Sequence, residues 1–287
     1  MRILVTGAKG QLGFDVLREL SSRNYLDVWG IDKDELDITD SVAVEQLITK
    51  YNPDVIMHNA AWTAVDKAEE CPEMCKKVNV IGTKNISKVA QKIGAKLVYI
   101  STDYVFNGEG EKFFEVDDFK KALSVYGKTK YEGELEAQKC DKHFIVRISW
   151  VFGINGNNFI KTMLRLAETK TELNVVGDQI GSPTYTRDLA KLLCDMIETE
   201  KYGTYHATNE GICSWAEFAK KIFELAKINT IKVNSVTTQD YLKLVPQQAS
   251  RPLNSRLSKK SLDNAGFNRL PSWEDATERF IKDELQR

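Results

Sequence analysis

The chain has 287 residues, of which 42% are hydrophobic, and its 40 basic and 41 acidic side chains leave a formal net charge of -1. This length is enough for one large domain, or for a large domain and a small one. The balanced charge gives no reason to expect nucleic acid or a membrane as partner, and no apolar run reaches the roughly 18 residues of a membrane span. We therefore expect a cytoplasmic protein that binds a small molecule.

Short apolar runs and amphipathic segments alternate along the first 150 residues. The predicted strands are Arg2–Val5, Asp27–Ile31, Val55–His58, Leu97–Ile100 and Phe144–Ile148. The predicted helices are Gln11–Ser21, Ser41–Lys50, Glu73–Lys92 and Ser124–Lys139. Because such alternation is typical of parallel strands joined by crossover helices, the pattern predicts an α/β fold with a doubly wound parallel sheet of the Rossmann type.

A glycine-rich segment directly follows the first predicted strand. Gly7, Gly10 and Gly13 form a G-x-x-G-x-x-G spacing before the first predicted helix. Glycines here let backbone N–H groups approach a pyrophosphate at a helix N-terminus, although a turn without a ligand can carry the same residues. Asp32 ends the next predicted strand 19 residues after Gly13, a spacing that suits an acid binding the adenosine ribose diol. The arrangement predicts a dinucleotide site.

The charges near this loop bear on which dinucleotide binds. The Asp32 carboxylate repels a 2′-phosphate, whereas Lys9 in the loop and Lys33 beside the acid can neutralise one. Since Asp32 occupies the better position for contact with the ribose, we expect NADH as the coenzyme, with NADPH tolerated.

A tyrosine and a lysine form the second motif that points to chemistry. Tyr126 and Lys130 are four residues apart on a predicted helix and so share one face. A nearby ammonium stabilises a phenolate and lowers the phenol pKa from its usual value of about 10, while Lys130 can also bind the nicotinamide ribose. Thr102 ends a predicted strand, where its hydroxyl can bond a reacting carbonyl oxygen or merely cap a turn. The pattern also occurs on solvated helices, but with the glycine loop it predicts a nicotinamide-dependent carbonyl or alcohol oxidoreductase.

The alternation changes after residue 150. Glycine-, asparagine- and proline-rich loops lie at 153–158 and 177–183, and the later predicted helices are Arg187–Thr199, Trp215–Ala226 and Trp273–Leu285. We predict a dinucleotide-binding domain over residues 1–150. Residues 151–287 are predicted to form mainly a smaller, partly interleaved substrate lobe, with some segments returning to the first domain. A ligand cleft is expected between the two.

The metal-binding residue types give no site. The five cysteines are an odd number without paired spacing, so reduced thiols are expected and zinc is not. His58, His143 and His206 lie in apolar, strand-like contexts and are expected to be structural. We expect no metal.

Several motifs are similar to those of the extended short-chain dehydrogenase/reductases that act on nucleotide sugars. The glycine loop, Asn59-Ala60-Ala61, Ser101-Thr102-Asp103 and the Tyr126/Lys130 pair carry this resemblance. Within that superfamily, further segments resemble the dTDP-4-dehydrorhamnose reductase family, at 62–69, 101–106, 147–153, 156–159 and 178–184. The resemblance covers residues 1 to about 190 and is looser beyond.

The resemblance implies that the C4 keto group of dTDP-4-dehydro-L-rhamnose is reduced to give dTDP-L-rhamnose, with NAD(P)H as the reductant. Tyr126 would donate the proton, with Thr102 and Lys130 as the other catalytic residues. Besides Tyr126 and Lys130, the dinucleotide site would include Gly10, Gln11, Leu12, Asp37, Ile38, Ala61, Trp62 and Thr63. Thr102, Asp103 and Trp150 would contact the deoxysugar nucleotide, although an aromatic side chain at a strand end is often part of the core.

Departures from the family pattern leave alternatives open. Some family members form a magnesium-linked dimer through acidic residues, but Arg187 stands where a glutamate is expected, so we expect a monomer or a homodimer without metal. Another nucleotide-sugar ketoreductase or an epimerase is the enzymatic alternative. Dehydratases of the superfamily carry Asp-Glu where this chain has Asp103-Tyr104, so the acid that elimination of water needs is missing here. A non-catalytic subunit is the alternative from another class, because the regulatory subunit of methionine adenosyltransferase resembles the same family.

Overall fold

The structure is a computed structural model that describes residues 1–23, 25 and 27–285. The strands of the described residues are β1 (Arg2–Thr6), β2 (Asp27–Ile31), β3 (Val55–His58), β4 (Lys96–Thr102), β5 (His143–Ile148), β6 (Val151–Phe152), β7 (Glu172–Val176), β8 (Ile180–Gly181), β9 (Thr184–Tyr185), β10 (Gly203–His206), β11 (Cys213–Ser214), β12 (Lys232–Val236) and β13 (Asn254–Ser255). The helices are α1 (Gln11–Ser22), α2 (Ser41–Tyr51), α3 (Val65–Glu70), α4 (Pro72–Lys76), α5 (Thr83–Ile93), α6 (Val125–Ala137), α7 (Phe159–Ala167), α8 (Thr186–Ile197), α9 (Trp215–Leu225), α10 (Thr238–Leu244), α11 (Lys260–Ala265) and α12 (Trp273–Arg279). Wider π-type turns at Lys77–Gly82 and Phe280–Leu285 adjoin α5 and α12, and Asp103–Val105 forms a 3₁₀ turn.

A six-stranded parallel sheet forms the centre of the molecule, in the order β10-β5-β4-β3-β1-β2. Side chains alternate between its two faces, so Ile3 and Val5 enter one hydrophobic cluster and Leu4 enters the other. Helices α1 and α8 cover the first face, while α2 and α5 cover the second. Both faces are therefore buried, which confirms the predicted doubly wound α/β fold.

The second half of the chain contributes to two places. Strand β10 and helix α8 join the central sheet and its cluster, whereas α7, α9 and α12 enclose a third hydrophobic cluster. Beside this cluster lie a parallel pair of β7 and β12 and a small sheet in the order β11-β8-β13. The division into domains at residue 150 stays a prediction.

The predicted strands match β1 to β5 to within two residues at each end, and the predicted helix Glu73–Lys92 corresponds to an unbroken helical stretch from Pro72 to Ile93 that is not α-helical throughout. Its middle part is the π-type turn at Lys77–Gly82, and α3 before it has no counterpart among the predicted helices. Periodicity missed the wider turn because apolar residues such as Val78 and Val80 continue the helical pattern through it. The turn carries Asn79 inward, where Thr83 donates a hydrogen bond to its carbonyl oxygen (2.7 Å).

All five cysteines are free thiols, and four of them are buried. Over the described ranges, the structure contains no helix with the length and hydropathy that a bilayer crossing requires.

The strand β5 supplies a direct test of this packing. Phe144 is fully buried in the cluster under α8, so Phe144→Ala should lower the free energy of unfolding by about 3–5 kcal/mol. Phe119, which is 83% exposed, is the matched control, and Phe119→Ala should leave the denaturant midpoint nearly unchanged. Equal effects of the two truncations in urea unfolding would contradict the assigned position of β5.

Candidate active site

A cavity of about 1090 Å³ opens at the edge of the sheet where the parallel strands end. All sixteen residues that the sequence assigns to a site line this one cavity. They are Gly7, Gly10, Gln11, Leu12, Gly13, Asp32, Asp37, Ile38, Ala61, Trp62, Thr63, Thr102, Asp103, Tyr126, Lys130 and Trp150. The structure thus brings together residues that are up to 143 positions apart (150 − 7).

The glycine loop leaves backbone exposed where side chains would block it. Gly7 has a left-handed φ of +65°, and a Cβ there would lie 2.8 Å from the backbone nitrogen of Ala60. A Cβ on Gly13 would lie 2.1 Å from the Gly7 carbonyl oxygen. Gly10 is the N-cap of α1, so the free N–H groups at the start of this helix belong to the loop. This cradle fits a pyrophosphate group.

Acidic side chains lie at the end of β2. The Asp32 carboxylate accepts hydrogen bonds from the backbone N–H groups of Lys9 (2.9 Å) and Lys33 (2.8 Å), which fix its position. The Lys9 ammonium forms an ion pair with Asp34 at 2.8 Å. The Lys9 ammonium thus has an exposed anion of its own beside it, and an acid fixed by the backbone faces the cavity from this strand end.

Helix α6 is held close to the end of β4. The Ser124 hydroxyl caps the helix by accepting a hydrogen bond from the Gly127 N–H at 3.1 Å. A Cβ on Gly127 would lie 2.2 Å from the Tyr104 carbonyl oxygen, so glycine permits the close approach. The Tyr126 ring packs edge-on against Tyr104 at 5.5 Å, and the Lys130 ammonium lies 4.1 Å from the centre of the Tyr99 ring. The helix thus places both predicted catalytic side chains at the cavity.

Burial dominates the protonation of this pair. It raises the pKa of Tyr126 above its ordinary value, and the Thr102 hydroxyl offsets part of that effect. Burial lowers the pKa of Lys130 to about 7, against an opposing effect of Glu134. The phenol pKa is therefore raised and not lowered overall as expected, because removal of Tyr126 from water has the largest effect. The phenol stays protonated at neutral pH, as a proton donor must.

Thr102 and Asp103 interact with each other at the end of β4. The Thr102 hydroxyl donates to the Asp103 carboxylate at 2.9 Å and accepts from the Tyr104 N–H at 3.2 Å. The Ser255 hydroxyl donates to the other carboxylate oxygen of Asp103, and burial raises the pKa of this carboxyl to about 6. The Thr102 proton therefore points to Asp103, and the hydroxyl must rotate before it can donate to a carbonyl oxygen in the cavity.

Trp150 has a fixed position at the opposite wall. Its backbone φ of +50° is left-handed, a conformation that an aromatic residue adopts only where the surroundings enforce it. The indole stacks on Trp215 with ring centres 3.8 Å apart, and a Cβ on Gly181 would lie 2.9 Å from its Cε2 atom. Trp215 is thus a neighbour of the site that sequence reasoning missed, because only tertiary packing brings it there.

Two asparagines, one in the cavity lining and one bonded to its segments, had not been assigned a role. Asn59 lines the cavity, and neither polar atom of its buried amide has a partner within the described residues. Asn79 accepts a hydrogen bond from the Trp62 N–H (2.8 Å) and donates one to the Thr129 hydroxyl (3.1 Å). It connects the predicted cofactor segment with the helix of Tyr126. The motif Asn59-Ala60-Ala61 signalled the first asparagine, while no sequence signal marked the second.

The histidines lie outside the cavity lining. His58 contacts the hydroxyls of Thr6 (2.8 Å) and Thr83 (3.2 Å), and burial lowers its pKa to about 3. It is a neutral structural link, as predicted. No group of three His, Cys, Asp or Glu side chains in the described part of the chain is arranged to hold a metal ion.

The chain is similar to known proteins over almost its whole length. The family model described as RmlD substrate binding domain matches residues 1–286. The spore coat polysaccharide biosynthesis protein SpsK of Bacillus subtilis is 41% identical, over 98% of this chain and 97% of its own. A dTDP-4-dehydrorhamnose reductase of Aggregatibacter actinomycetemcomitans is 42% identical, over 96% of each chain.

A solved structure extends this similarity to three dimensions. The dTDP-4-dehydrorhamnose reductase of Bacillus anthracis, in complex with NADP, superposes with a TM-score of 0.94 at 43% identity and covers 98% of this chain and 99% of its own. A nicotinamide dinucleotide therefore binds in a relative with the same fold.

Proposed function

The chain belongs to the RmlD substrate binding domain family and is an oxidoreductase that uses a nicotinamide cofactor, and from that premise we propose that it reduces the C4 keto group of dTDP-4-dehydro-L-rhamnose to form dTDP-L-rhamnose. The observation that carries the proposal is the single cavity in which a pyrophosphate cradle, Thr102, Tyr126 and Lys130 meet. The choice of dTDP-4-dehydro-L-rhamnose as substrate rests on the relatives, which include dTDP-4-dehydrorhamnose reductases.

The cofactor would be held by the residues of the sequence motif. Gly7, Gly10 and Gly13 offer backbone to the pyrophosphate, and Asp32 offers a carboxylate to the adenosine ribose. When bound, the dihydronicotinamide supplies the hydride that reduces the ketone. Lys130 would bind the nicotinamide ribose through its ammonium group.

Proton transfer is the task that we assign to Tyr126. Its phenol is protonated at neutral pH because burial raises its pKa, so it has a proton to give to the alkoxide that forms at C4. The Lys130 ammonium would stabilise the phenolate that remains. Before the substrate binds, the Thr102 hydroxyl donates to the Asp103 carboxylate. It would then break this hydrogen bond and donate to the ketone oxygen, which orients the ketone.

The deoxysugar nucleotide would lie between the end of β4 and the segment after β5. Thr102 and Asp103 contact it from one side and Trp150 from the other, and all three line the cavity. One face of Trp150 is occupied by Trp215, so an edge or the second face of the indole meets the substrate. Residues 151–287, apart from the segments that join the central sheet, would form the substrate lobe.

The experiment that tests this function is a turnover assay. Purified protein should oxidise one equivalent of NADH for each dTDP-4-dehydro-L-rhamnose converted. An epimerase would interconvert sugars without net oxidation of NADH, and a non-catalytic subunit would bind both ligands without any conversion. Either result would overturn the proposal.

We expect Tyr126→Phe to reduce kcat by about 100-fold or more, because the phenyl ring has no proton to donate. Dinucleotide affinity measured by calorimetry should stay near that of the wild type. Tyr131→Phe on the same helix is the matched control, since Tyr131 does not line the cavity, and it should keep full turnover. Equal rates for the two variants would remove Tyr126 from this role.

For the coenzyme, we propose that NADH binds at least as well as NADPH, because Asp32 is fixed at the ribose position while Lys9 is paired with Asp34. Asp32→Ala should shift the preference toward NADPH by removing the repulsion of its 2′-phosphate. Calorimetry with both coenzymes measures the shift. A wild type that binds NADPH about tenfold more tightly, or about 1.4 kcal/mol, would show that lysines outweigh Asp32.

The substrate contact of Trp150 is tested by truncation. Trp150→Ala should weaken binding of the deoxysugar nucleotide by about 1–3 kcal/mol, with little change in dinucleotide affinity. Because it also removes the stack on Trp215, it should lower the urea midpoint, but by less than truncation of a fully packed core tryptophan. Trp273, which is 6% exposed and packs in the third cluster, is the core reference, and Trp273→Ala should lower stability by about 3–5 kcal/mol. A Trp150 variant that loses stability like the Trp273 variant, without selective loss of sugar-nucleotide binding, would place Trp150 in the core.

A further inference from the structure

A buried ion pair lies directly beneath the candidate active site. The Glu134 side chain is fully buried and that of Arg147 is 2% exposed. Arg147 donates two parallel hydrogen bonds to the Glu134 carboxylate, each 2.8 Å long, and the Ser101 hydroxyl donates a third. This carboxylate therefore has a fixed position and no contact with water.

The three partners lie on elements that carry predicted site residues. Glu134 is one turn after Lys130 on α6 and shares its face. Ser101 directly precedes Thr102 on β4, and Arg147 lies on β5, three residues before Trp150. One carboxylate thus connects three of the elements whose ends form the cavity.

A buried ion pair needs a physical reason, because apolar residues of similar size often serve stability equally well or better. Arg147 is satisfied on its other side, where it donates to the Val116 carbonyl oxygen at 2.8 Å and lies 3.3 Å from the His206 ring nitrogen. Burial and the Arg147 charge hold the pKa of His206 well below its usual range, so His206 stays neutral. A second basic residue, Lys130, lies one turn before Glu134 on the same face of α6, with its ammonium over the Tyr99 ring.

We propose that Glu134 is a positioning residue that holds Lys130 as an ammonium ion beside Tyr126, and that Arg147 and Ser101 fix the carboxylate for this purpose. The role rests on the proposed function, in which a charged Lys130 stabilises the Tyr126 phenolate. Glu134 itself lies below the cavity and acts through Lys130.

The groups that face Lys130 leave Glu134 as its source of negative charge. On β3, β4 and α4 these are His58, Tyr99 and Cys75, and on α6 the neighbour besides Glu134 is Tyr126. Burial keeps the His58 ring neutral by lowering its pKa to about 3, and it raises the pKa values of the Tyr99 phenol and the Cys75 thiol. At neutral pH, Glu134 is therefore the anion among these neighbours.

The Glu134 carboxylate has further titratable groups around it. Besides Arg147 and Ser101, the Tyr99 phenol on β4 and Lys120 in the preceding loop are within electrostatic range of Glu134. Burial lowers the pKa of Lys130 to about 7, and Glu134 has the largest opposing effect. Loss of the carboxylate charge should therefore favour the uncharged amine.

The test follows Lys130 directly by NMR of protein labelled with ¹³C-lysine, without any substrate. Lys130→Met assigns the signal by its disappearance. Glu134→Gln should move the Lys130 transition to lower pH by about one unit or more, the usual effect of removing a close opposite charge. Lys259, whose pKa burial lowers to about 8 and which faces Glu210 and Arg269, provides an internal reference that should not move.

Two further variants separate charge from packing. Glu134→Gln leaves Arg147 buried without its partner and can destabilise the fold, so Glu134→Gln/Arg147→Met removes both charges. The double variant should fold and still show the lowered Lys130 transition. Ser101→Ala removes one hydrogen bond but no charge, and should leave the transition within a few tenths of a unit of the wild-type value. If the Lys130 transition of the double variant occurs at the same pH as in the wild type, Glu134 only neutralises Arg147, and the proposal is overturned.

Turnover supplies the second readout. The ammonium form is lost as pH rises through the Lys130 pKa, so the alkaline limb of kcat/KM should shift to lower pH in the double variant, by as much as the NMR transition shifts. A limb that does not move would also overturn the proposal. A wild type that fails to reduce the ketosugar would contradict the proposed function instead, and the NMR comparison would still decide whether Glu134 sets the charge of Lys130.

Discussion

The candidate site depends on the parallel alignment of the central strands. Because β1, β2, β3, β4 and β5 run in one direction, their carboxyl ends meet at one edge, and residues that follow all five strands reach one cavity, together with Tyr126 and Lys130 of α6. Each strand contributes one part: the glycine loop, the acid, the Asn59 segment, the Thr102 pair and the Trp150 segment. A shift of one strand by a residue would turn its side chain to the opposite face of the sheet.

Local patterns made much of this arrangement predictable from the sequence. Each of two motifs involves residues that are close along the chain: the glycines after a strand, and the tyrosine four residues before a lysine. Their chemical roles can therefore be predicted without knowledge of the fold. The five strands of the first half were predictable because strands buried on both faces read as short continuous apolar runs. These two kinds of signal together located the cavity and its lining.

Contacts between distant segments were not predictable in the same way. Trp215 reaches Trp150, and Ser255 reaches Asp103, only through the packing of the second half of the chain. The direction of the Thr102 hydroxyl and the raised pKa of Tyr126 depend on burial, which a sequence pattern does not report. Asn79 was missed because the π-type turn that carries it has no periodic signature.

The reaction that we assign to the cavity is transfer of a hydride from the nicotinamide to the C4 carbon of a 4-ketosugar nucleotide, while a protein group protonates the oxygen. This hydride can be followed by incubating the purified protein with dTDP-4-dehydro-L-rhamnose and NADH deuterated at the nicotinamide C4 position. We expect deuterium at C4 of the deoxysugar in the product, seen by NMR as loss of that proton signal. NADH labelled on one face of the nicotinamide and NADH labelled on the other are tested separately. A product that carries no deuterium with either sample, or that carries it at another carbon, would contradict this assignment.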